Sequence, residues 1–397
     1  MRFVHIADTH LGKVNFKLDE RLEDFKKSFK NFIDLIINKN IDFVVHSGDL
    51  FDKPNPTPDI LSFTVEQLLR LKEKNIPIYI IPGSHDIGVD GTYLSVLEKL
   101  GLVKNVASSK YFYKNDNNYV LTGIVDKKTN TFIAGIPGRR SKIKNLLENL
   151  KIEFPKDVKF KIFMFHHTIT DISSLFGDFP KSLLPKGFNY YAAGHWHGKI
   201  IVKYDKGEIV YPGSTEYCDS SEMLKNEEKG FYIIDVDNTN SFTKYFIPLK
   251  TRKVIVKKIN VNNLSPDQAT QLCMSQIFDV DDNPILIFKL DGKLKSGNRS
   301  EIDKSKINII AKEKGYLFSN VLTSDVLNPE QNKITIVSKS VEEIEKEYLK
   351  KKNFDDKIIS LVQNMFYVMS HEKKEEEIKS KILDMIRRDL LHEDKEH

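Results

Sequence analysis

The sequence predicts an α/β fold for residues 1–250, with mixed β-sheets covered by helices, then a small α+β domain and C-terminal helices. Short apolar runs rich in Val, Ile, Phe and Tyr alternate with amphipathic segments of helical periodicity. Such alternation favours parallel strands joined by helices. The later apolar runs follow one another across short turns, which favours antiparallel pairing.

The elements of the first domain follow in order along the chain. The strand FVHIAD leads into a helix whose apolar residues recur at helical spacing between Leu22 and Ile37. Two further strand–helix pairs are DFVVHSGDL with ILSFTVEQLLRLKEKN, and PIYIIPGSHD with YLSVLEKLG. A helix is predicted at KIKNLLENL. The remaining predicted strands are FIAGIPG, FKIFMFHH, YYAAGHWH, IIVKY, EIVYPGS, GFYIIDVD and KYFIPL.

The pattern changes near residue 250 and again near residue 340. VIVKKINV and PILIFKLDG, with the helix DQATQLCMSQIF between them, predict a small α+β domain over residues 251–338. Over residues 339–397 the strand signals stop and three charged amphipathic helices are predicted. The middle helix, DDKIISLVQNMFYVMS, is apolar enough that it must pack on its own domain or on a partner helix.

Composition limits the class of protein. The 397 residues are 40% hydrophobic, which is enough for two or three domains. The net charge of +5 is too small to predict nucleic-acid binding without a local basic surface. Cys218 and Cys273 lie far apart, so neither a disulfide framework nor a cysteine-rich zinc site is expected. We find no signal peptide and no apolar run of membrane length, and therefore expect a soluble cytoplasmic protein.

Residues of metal-ligand type stand at the ends of predicted strands in the first domain. The five segments are Asp8–His10, Gly48–Asp49, Gly83–Asp86, His166–His167 and Gly194–His197. The strand ends of a parallel sheet converge on one crevice, and residues two apart face one side of an extended chain. Imidazole with carboxylate favours manganese, iron or zinc over calcium. A central Asp49 could bridge two ions, as two-metal phosphoesterases require.

Each motif has an ordinary structural explanation when taken alone. A histidine within a strand is usually a hydrogen-bonded core residue, and we interpret His5 and His46 in that way. Asp42 and Asp52 would by default be turn or cap residues. Five motifs in this order, all at strand ends, favour a shared metal site.

DTH, GDLFD, GSHD, HH and GHWH resemble the signature of the calcineurin-like metallophosphoesterases over residues 1–250. Within that superfamily, MRFVHIADTHLG, GDLFD and YPGSTE resemble the Mre-eleven (SbcD-like) DNA double-strand-break repair nucleases. The resemblance implies a two-metal DNA phosphodiesterase with exonuclease and single-strand endonuclease activity, with Mn²⁺ as the expected ion. It also implies a nucleoid-associated homodimer, a DNA-capping role for the small domain, and a Rad-fifty-type coiled-coil ATPase bound by the C-terminal helices.

The resemblance carries site roles to matched positions. The first metal would be held by Asp8, His10, Asp49 and His197. The second metal would be held by Asp49, Ser84, His166 and His195. His85 would stabilise the phosphate under attack or protonate the leaving oxygen, and Asp52 could orient the His85 imidazole.

Ser84 departs from the superfamily pattern, which usually has asparagine at this position. A serine hydroxyl is a shorter side chain and a poorer ligand, so the second metal is expected to bind less tightly. The departure leaves open a catalytically weakened scaffold that bridges DNA. A second alternative, a metallophosphoesterase acting on a non-DNA phosphoester, leaves the small domain and the C-terminal helices unexplained.

Candidate DNA contacts lie beside the metal motifs, because phosphate contacts dominate affinity for DNA. They are Lys13 after the first motif, Arg139 and Arg140 after a strand end, and Ser214 in YPGSTE. An ordinary solvated surface is the alternative for each cation. Tyr217 stands where many relatives of this type carry arginine, which leaves one expected phosphate contact in doubt.

The helices ILSFTVEQLLRLKEKN and YLSVLEKLG have apolar faces that a dimer interface would cover. The residues of these faces are Leu61, Val65, Leu68, Leu94, Leu97 and Leu100. Packing within one chain explains them equally well.

Overall fold

The computed structural model describes most of the chain. The described residues are 1–89, 91–115, 118–138, 142–329, 349–350, 354–371 and 375–387. Two compact units are formed, Met1–Val326 and Leu327–His397. Mixed sheets and helices build the first unit, so the predicted α/β class is confirmed. The predicted division into three domains stays a prediction.

The first sheet has parallel strands in its middle and an antiparallel hairpin at one edge. In spatial order its strands are β15 (Phe242–Pro248), β14 (Gly230–Val236), β1 (Arg2–Ile6), β2 (Phe43–His46), β3 (Ile78–Ile80) and β4 (Lys104–Asn105). The helices that cover its outer face are α1 (Asp19–Ile36), α2 (Pro58–Glu73) and α3 (Leu94–Lys99). Strand β1 pairs in parallel with β2 and antiparallel with β14, which brings a late strand next to the first one.

The second sheet faces the first. In spatial order its strands are β12 (Ile200–Tyr204), β13 (Gly207–Tyr211), β11 (Tyr190–Gly194), β10 (Phe160–His166), β8 (Thr131–Gly135) and β7 (Ile124–Asp126). Helix α4 (Ile143–Glu148) packs on its outer face. The late hairpins β12–β13 and β14–β15 are antiparallel as predicted, although β13 also pairs in parallel with β11.

A hydrophobic core lies between the two sheets because alternate residues of each strand point to opposite faces. In β1, Phe3 points into this core and Val4 points to the helices. His5 also lies in the core, where its Nδ1 is 2.9 Å from the Tyr190 hydroxyl and its Nε2 is 2.9 Å from the Ser47 hydroxyl. Both ring nitrogens are thus hydrogen-bonded, which fits a structural role for this histidine.

The small α+β region has its own sheet and core. In chain order its elements are β16 (Val254–Asn260), α6 (Pro266–Ser275), β17 (Ile285–Lys293), α7 (Lys304–Glu313) and β18 (Phe318–Leu327). Arg252, just before β16, makes a bidentate ion pair with Asp24 of α1, at 2.6 and 2.8 Å. Phe16 stacks on Phe318 with ring centroids 4.7 Å apart. These contacts fix the α+β region to α1 and to the loop before it.

The remaining elements are short or C-terminal. A three-stranded sheet contains β5 (Phe112–Asn115), β6 (Asn118–Leu121) and β9 (Leu150–Ile152), and α5 (Ser220–Lys225) precedes β14. In the second unit, α8 (Asp356–His371) contacts α9 (Glu375–Ile386), and α8 buries Ile359 and Leu361. The helix predicted at 341–352 lies outside the described residues except for 349–350. Among the described helices, none has the length and apolar character needed to cross a membrane.

Candidate metal centre

The predicted ligands follow strands of both sheets. Those after β1, β2 and β3 of the first sheet are Asp8, His10, Asp49 and Ser84, and those at the ends of β10 and β11 of the second are His166, His195 and His197. The candidate ligands therefore do not all lie at the strand ends of one sheet. The two sheets face each other, and the carboxyl ends of their parallel strands meet at one edge of the interface.

Four of these residues have a left-handed backbone, with φ of 53° at Asp8, 43° at His10, 53° at Asp49 and 84° at His195. This conformation is uncommon for residues other than glycine and persists only where the surroundings enforce it. Here the Asp8 amide donates to the Gly48 carbonyl and the His10 amide donates to the Asp49 carbonyl, each at 3.0 Å. The extended chain expected at Asp8 and His10 is wrong, because they share a site through turns.

Close backbone contacts hold the loops of the site together, both within the first sheet and between the two sheets. A Cβ at Gly83 would lie 2.2 Å from the Asp49 amide nitrogen, and one at Gly194 would lie 2.2 Å from the Ser47 carbonyl oxygen. Any side chain at these positions would push the loops apart. The glycines of the GSHD and GHWH motifs therefore let Asp49 and His166 approach each other.

The first cluster of donor atoms contains the four ligands predicted for the first metal. His10 Nε2 lies 3.2 Å from His197 Nε2 and 3.8 Å from Asp49 Oδ2. His197 Nε2 lies 3.8 Å from Asp8 Oδ1. Nitrogen and oxygen ligands bind zinc-type ions at about 2.0–2.2 Å, so donors of one ion stand about 3–4 Å apart. The spacing of the cluster fits one divalent ion.

The second cluster shares Asp49 with the first. His166 Nε2 lies 3.0 Å from Asp49 Oδ2, and the His166 and His195 ring centroids are 5.1 Å apart. Donor atoms of Asp49, His166 and His195 all lie within 4.8 Å of one another. Ser84 lies next to Gly83 and is partly buried. Three of the four ligands predicted for the second metal are thus brought together as a histidine–carboxylate set.

Hydrogen bonds on the far side of His166 identify the nitrogen that faces the cluster. His166 Nδ1 lies 2.7 Å from the Ser47 carbonyl oxygen, which can only accept, so Nδ1 carries the proton. Nε2 then faces Asp49 Oδ2, 3.0 Å away, so in the neutral ring its lone pair is directed into the second cluster. Burial would lower the pKa of His166, but Asp49 and Asp8 outweigh it and raise that pKa. The site therefore attracts a cation, and its residues fit a pair of divalent metal ions.

Glu222 and Lys229 form a support for His197 that the sequence interpretation missed. His197 Nδ1 donates to Glu222 Oε1 at 2.6 Å, and Lys229 Nζ donates to Glu222 Oε2 at 2.5 Å. Burial would raise the pKa of Glu222, but His197 and Lys229 outweigh it and lower that pKa to about 2. This arrangement fixes the imidazole with Nε2 toward the first cluster, as carboxylates commonly do for metal-bound histidines.

Glu222→Gln should weaken binding of the first metal by about 10- to 100-fold, because the amide is a weaker acceptor for the His197 Nδ1–H and no longer balances the charge of Lys229. Titration with Mn²⁺ followed by calorimetry measures the change. Glu228→Gln is a matched control, because Glu228 is an exposed residue that pairs only with Lys199 at 3.3 Å in the described structure. Equal metal affinity in the Glu222 variant and the control would contradict the role given to Glu222.

His85 is oriented by Asp52, but through the backbone. His85 Nδ1 donates to the Asp52 carbonyl oxygen at 2.8 Å, whereas the nearest carboxylate oxygen of Asp52 is 3.9 Å away. That carboxylate instead accepts from Lys13 at 2.8 Å and lies 3.4 Å from His10 Nδ1. The expected contact between the Asp52 carboxylate and the His85 imidazole is therefore wrong, and the Asp52 backbone carbonyl takes its place. The side chain of His85 is 41% exposed, and its Nε2 is left for another partner.

The predicted DNA contacts have different outcomes. Lys13 lies at the rim of the site and is paired with Asp52. Arg139 and Arg140 lie outside the described residues. Ser214 is fully buried, and its hydroxyl lies 3.1 Å from Glu222 Oε2 and 2.9 Å from the Glu216 carbonyl oxygen. Ser214 presents no surface to DNA, so that prediction is corrected.

The YPGSTE segment joins α1 to the site. Glu216 Oε1 accepts from the Tyr217 amide at 2.8 Å and lies 3.2 Å from Nη2 of Arg21, whose side chain is 0% exposed. Arg21 Nη1 donates to Asp24 at 2.6 Å. Tyr217 is buried and its hydroxyl donates to Asn226 at 3.1 Å, so it also offers no phosphate contact. In this protein the segment acts as a structural connection.

The fold and the two histidine–carboxylate clusters define a metallophosphoesterase, and the calcineurin-like phosphoesterase family model matches residues 1–199. Within that class the chain belongs to the Mre11 family. It is 32% identical over 368 residues to the DNA double-strand break repair protein Mre11 of Methanococcus maripaludis, covering 89% of this chain and 92% of that protein. The Mre11 of Sulfolobus acidocaldarius is 28% identical over 400 residues, covering 96% and 98%. The resemblance inferred from the motifs is confirmed.

Among solved structures, a dimetal phosphatase from Danio rerio covers 63% of this chain and 98% of its own. Its sequence identity is 12% and its TM-score is 0.38, too low to bear on function.

Proposed function

We propose that this protein is a two-metal DNA phosphodiesterase that processes double-strand breaks at the nucleoid, as an exonuclease and a single-strand endonuclease. The observation that carries the proposal is the pair of donor clusters sharing Asp49, with His85 beside them. The full-length similarity to proteins named for double-strand break repair supports DNA as the substrate.

The residues of this chain would divide the work between binding and proton transfer. The two clusters would hold divalent ions, with Mn²⁺ expected, and these ions supply Lewis-acid activation of the phosphate and of water. His85 would donate a hydrogen bond from Nε2 to a phosphate oxygen, or a proton to the leaving sugar oxygen. The Asp52 carbonyl holds the His85 ring by accepting from Nδ1, which leaves Nε2 for this task. Lys13, at the rim, is placed to approach a neighbouring phosphate.

Digestion of end-labelled duplex DNA by the purified chain tests the proposal, with Mn²⁺, Mg²⁺ or a chelator present. We expect degradation with Mn²⁺ and none with the chelator. Hydrolysis of bis-(p-nitrophenyl) phosphate without cleavage of DNA would favour a phosphoesterase acting on another substrate. DNA binding without hydrolysis of either compound would favour a DNA-bridging scaffold, for which Ser84 and Tyr217 are the motivating residues.

Ser84→Asn should tighten binding of the second metal by roughly tenfold, which corresponds to about 1.4 kcal/mol. The reason is that an asparagine amide oxygen reaches further than the serine hydroxyl. Metal titration that resolves the two sites measures the change, and the first site is the internal control. An unchanged second binding constant would show that Ser84 does not limit this site.

A homodimer through α2 and α3 remains part of the proposal, with only part of the predicted residue set available to the interface. Leu68, Leu94 and Leu97 are buried in the core of the chain. The apolar side chains that stay exposed are Leu69 of α2 at 42%, Val96 of α3 at 41%, and Leu100, directly after α3, at 52%. These exposed residues are the ones that a partner copy would cover.

The C-terminal helices would bind a Rad-fifty-type coiled-coil ATPase. Truncation after Ser340 removes α8 and α9 and should abolish ATPase binding while DNA cleavage is retained, because every donor of the two clusters lies before residue 200. Co-purification with the ATPase measures the effect. Truncation after Arg387 is the control, since it keeps both helices. If the chain truncated after Ser340 still bound the ATPase, this assignment would be refuted.

A further inference from the structure

A pocket on the outer side of His197 contains the single tryptophan of the chain. Trp196 lies between His195 and His197 in the GHWH motif, and the pocket has a volume of about 160 Å³. The indole packs in part against the core of the second sheet and lines the pocket with the rest of its surface. A Cβ at Gly198 would lie 2.8 Å from the indole nitrogen, so a glycine is required for this placement. The motif thus places an aromatic surface beside His197, on the side of that residue that faces the pocket.

The charges around Trp196 are mixed. Lys225 is exposed, and its Nζ lies 5.9 Å from the indole centroid. Asp219 and Glu227 place two exposed carboxylates on the same pocket. Glu222 and Lys229, which also line it, are paired with each other. A pocket with more carboxylates than lysines disfavours a phosphate group. It suits a flat aromatic ligand whose amino groups can donate to a carboxylate.

We propose that this pocket binds one unpaired nucleobase carrying an exocyclic amino group, stacked on Trp196. The inference rests on the proposed function, because the base belongs to a nucleotide beside the phosphate at the donor clusters. Base–aromatic stacking is how proteins bind single strands without needing base pairs. Glu227 or Asp219 accepts from the amino group, and Lys225 is free to swing toward the adjacent backbone phosphate. The pocket thus selects a melted or single-stranded end over intact duplex.

Because Trp196 is the only tryptophan of the sequence, its fluorescence reports whether the pocket is occupied. The full chain in magnesium buffer is mixed with a single-stranded dC 12-mer, and its emission is read within seconds. We expect saturable quenching of the indole. A 12-mer of abasic residues should bind without quenching. The affinity for the dC 12-mer, followed by anisotropy of a labelled strand, should fall about tenfold in Trp196→Ala, with the abasic 12-mer unaffected.

Phe154→Ala is the matched control. Phe154 is an aromatic residue 42% exposed with Lys161 5.0 Å from its ring centroid, and it lies beside Phe188, at the opposite end of the second sheet's strands from the clusters. Its loss should leave the affinity for the dC 12-mer unchanged. Binding of the dC 12-mer without quenching, or equal quenching by the abasic strand, would overturn the stacking site while DNA binding stands. Failure to bind any DNA, single-stranded or duplex, would instead overturn the proposed function together with this site.

Discussion

Asp49→Asn is expected to remove both metal ions and to reduce hydrolysis by about 10³-fold or more, since each ion supplies several kcal/mol of charge stabilisation. Asp49 is the carboxylate that the two clusters share. Its Oδ2 faces His166 at 3.0 Å and His10 at 3.8 Å. Asparagine replaces that oxygen with an amide group, which cannot ligate a cation in the same way. Metal content after gel filtration and the rate of DNA cleavage measure the two effects.

The fold should survive this change. Asp49 Oδ1 accepts from the His85 amide at 2.7 Å, and an asparagine oxygen can accept the same bond. Asparagine also tolerates the left-handed backbone at this position. Asp42→Asn is a suitable control, because Asp42 lies before β2 and away from the clusters, where it pairs with Lys128 at 2.8 Å. If Asp49→Asn kept both ions at full affinity, the shared-carboxylate geometry would be refuted.

His85→Ala is expected to reduce the rate of cleavage by about 10²- to 10⁴-fold, the usual contribution of a general acid or base. Metal content and DNA affinity should remain near those of the parent, because neither cluster uses His85. His85 could alternatively join His10 and Asp52 as a third group of donors, since their atoms also lie within 4.8 Å of one another. Loss of metal in the variant would support that alternative over a role in proton transfer.

Asp52→Asn separates the role of the Asp52 backbone carbonyl from that of its carboxylate. The backbone carbonyl that holds His85 is unchanged, so the imidazole should keep its orientation. What is lost is the ion pair with Lys13 and the charge beside His10. We therefore expect a smaller loss of cleavage than in His85→Ala. A loss as large as that of His85→Ala would show that the carboxylate itself takes part in the reaction.

The convergence of the candidate ligands other than Ser84 was predictable, because these histidines and aspartates occur at the ends of buried strands, where polar side chains are unusual. The division of the strands between two facing sheets was harder to predict, because both sheets contain parallel strands with the same apolar pattern. The contact between Glu222 and His197 could not be predicted from the sequence. Asp219 caps α5 by accepting from the Ser221 and Glu222 amides, and this capping signal predicts the helix but not what the helix contacts. The distance of Glu222 from His197 depends on the packing of α5, which a local pattern does not encode.

Ser214 shows the opposite error. A serine beside glycine in a loop near a metal site suggests a phosphate contact, and only burial reveals that its hydroxyl serves the protein itself. Likewise, the apolar residues of α2 and α3 could belong either to a core or to an interface. The structure assigns Leu68, Leu94 and Leu97 to the core, a distinction that depends on where each helix contacts the sheet.

The left-handed backbone at Asp8, His10, Asp49 and His195 restricts the substitutions that yield inactive but intact protein. β-Branched and bulky residues would strain these turns, so their effects on activity would be mixed with effects on folding. Asparagine and glycine accept the same dihedral angles. A reagent for trapping uncleaved substrate is therefore best designed with these two residues, and an alanine scan of the four positions would misjudge how much each side chain contributes.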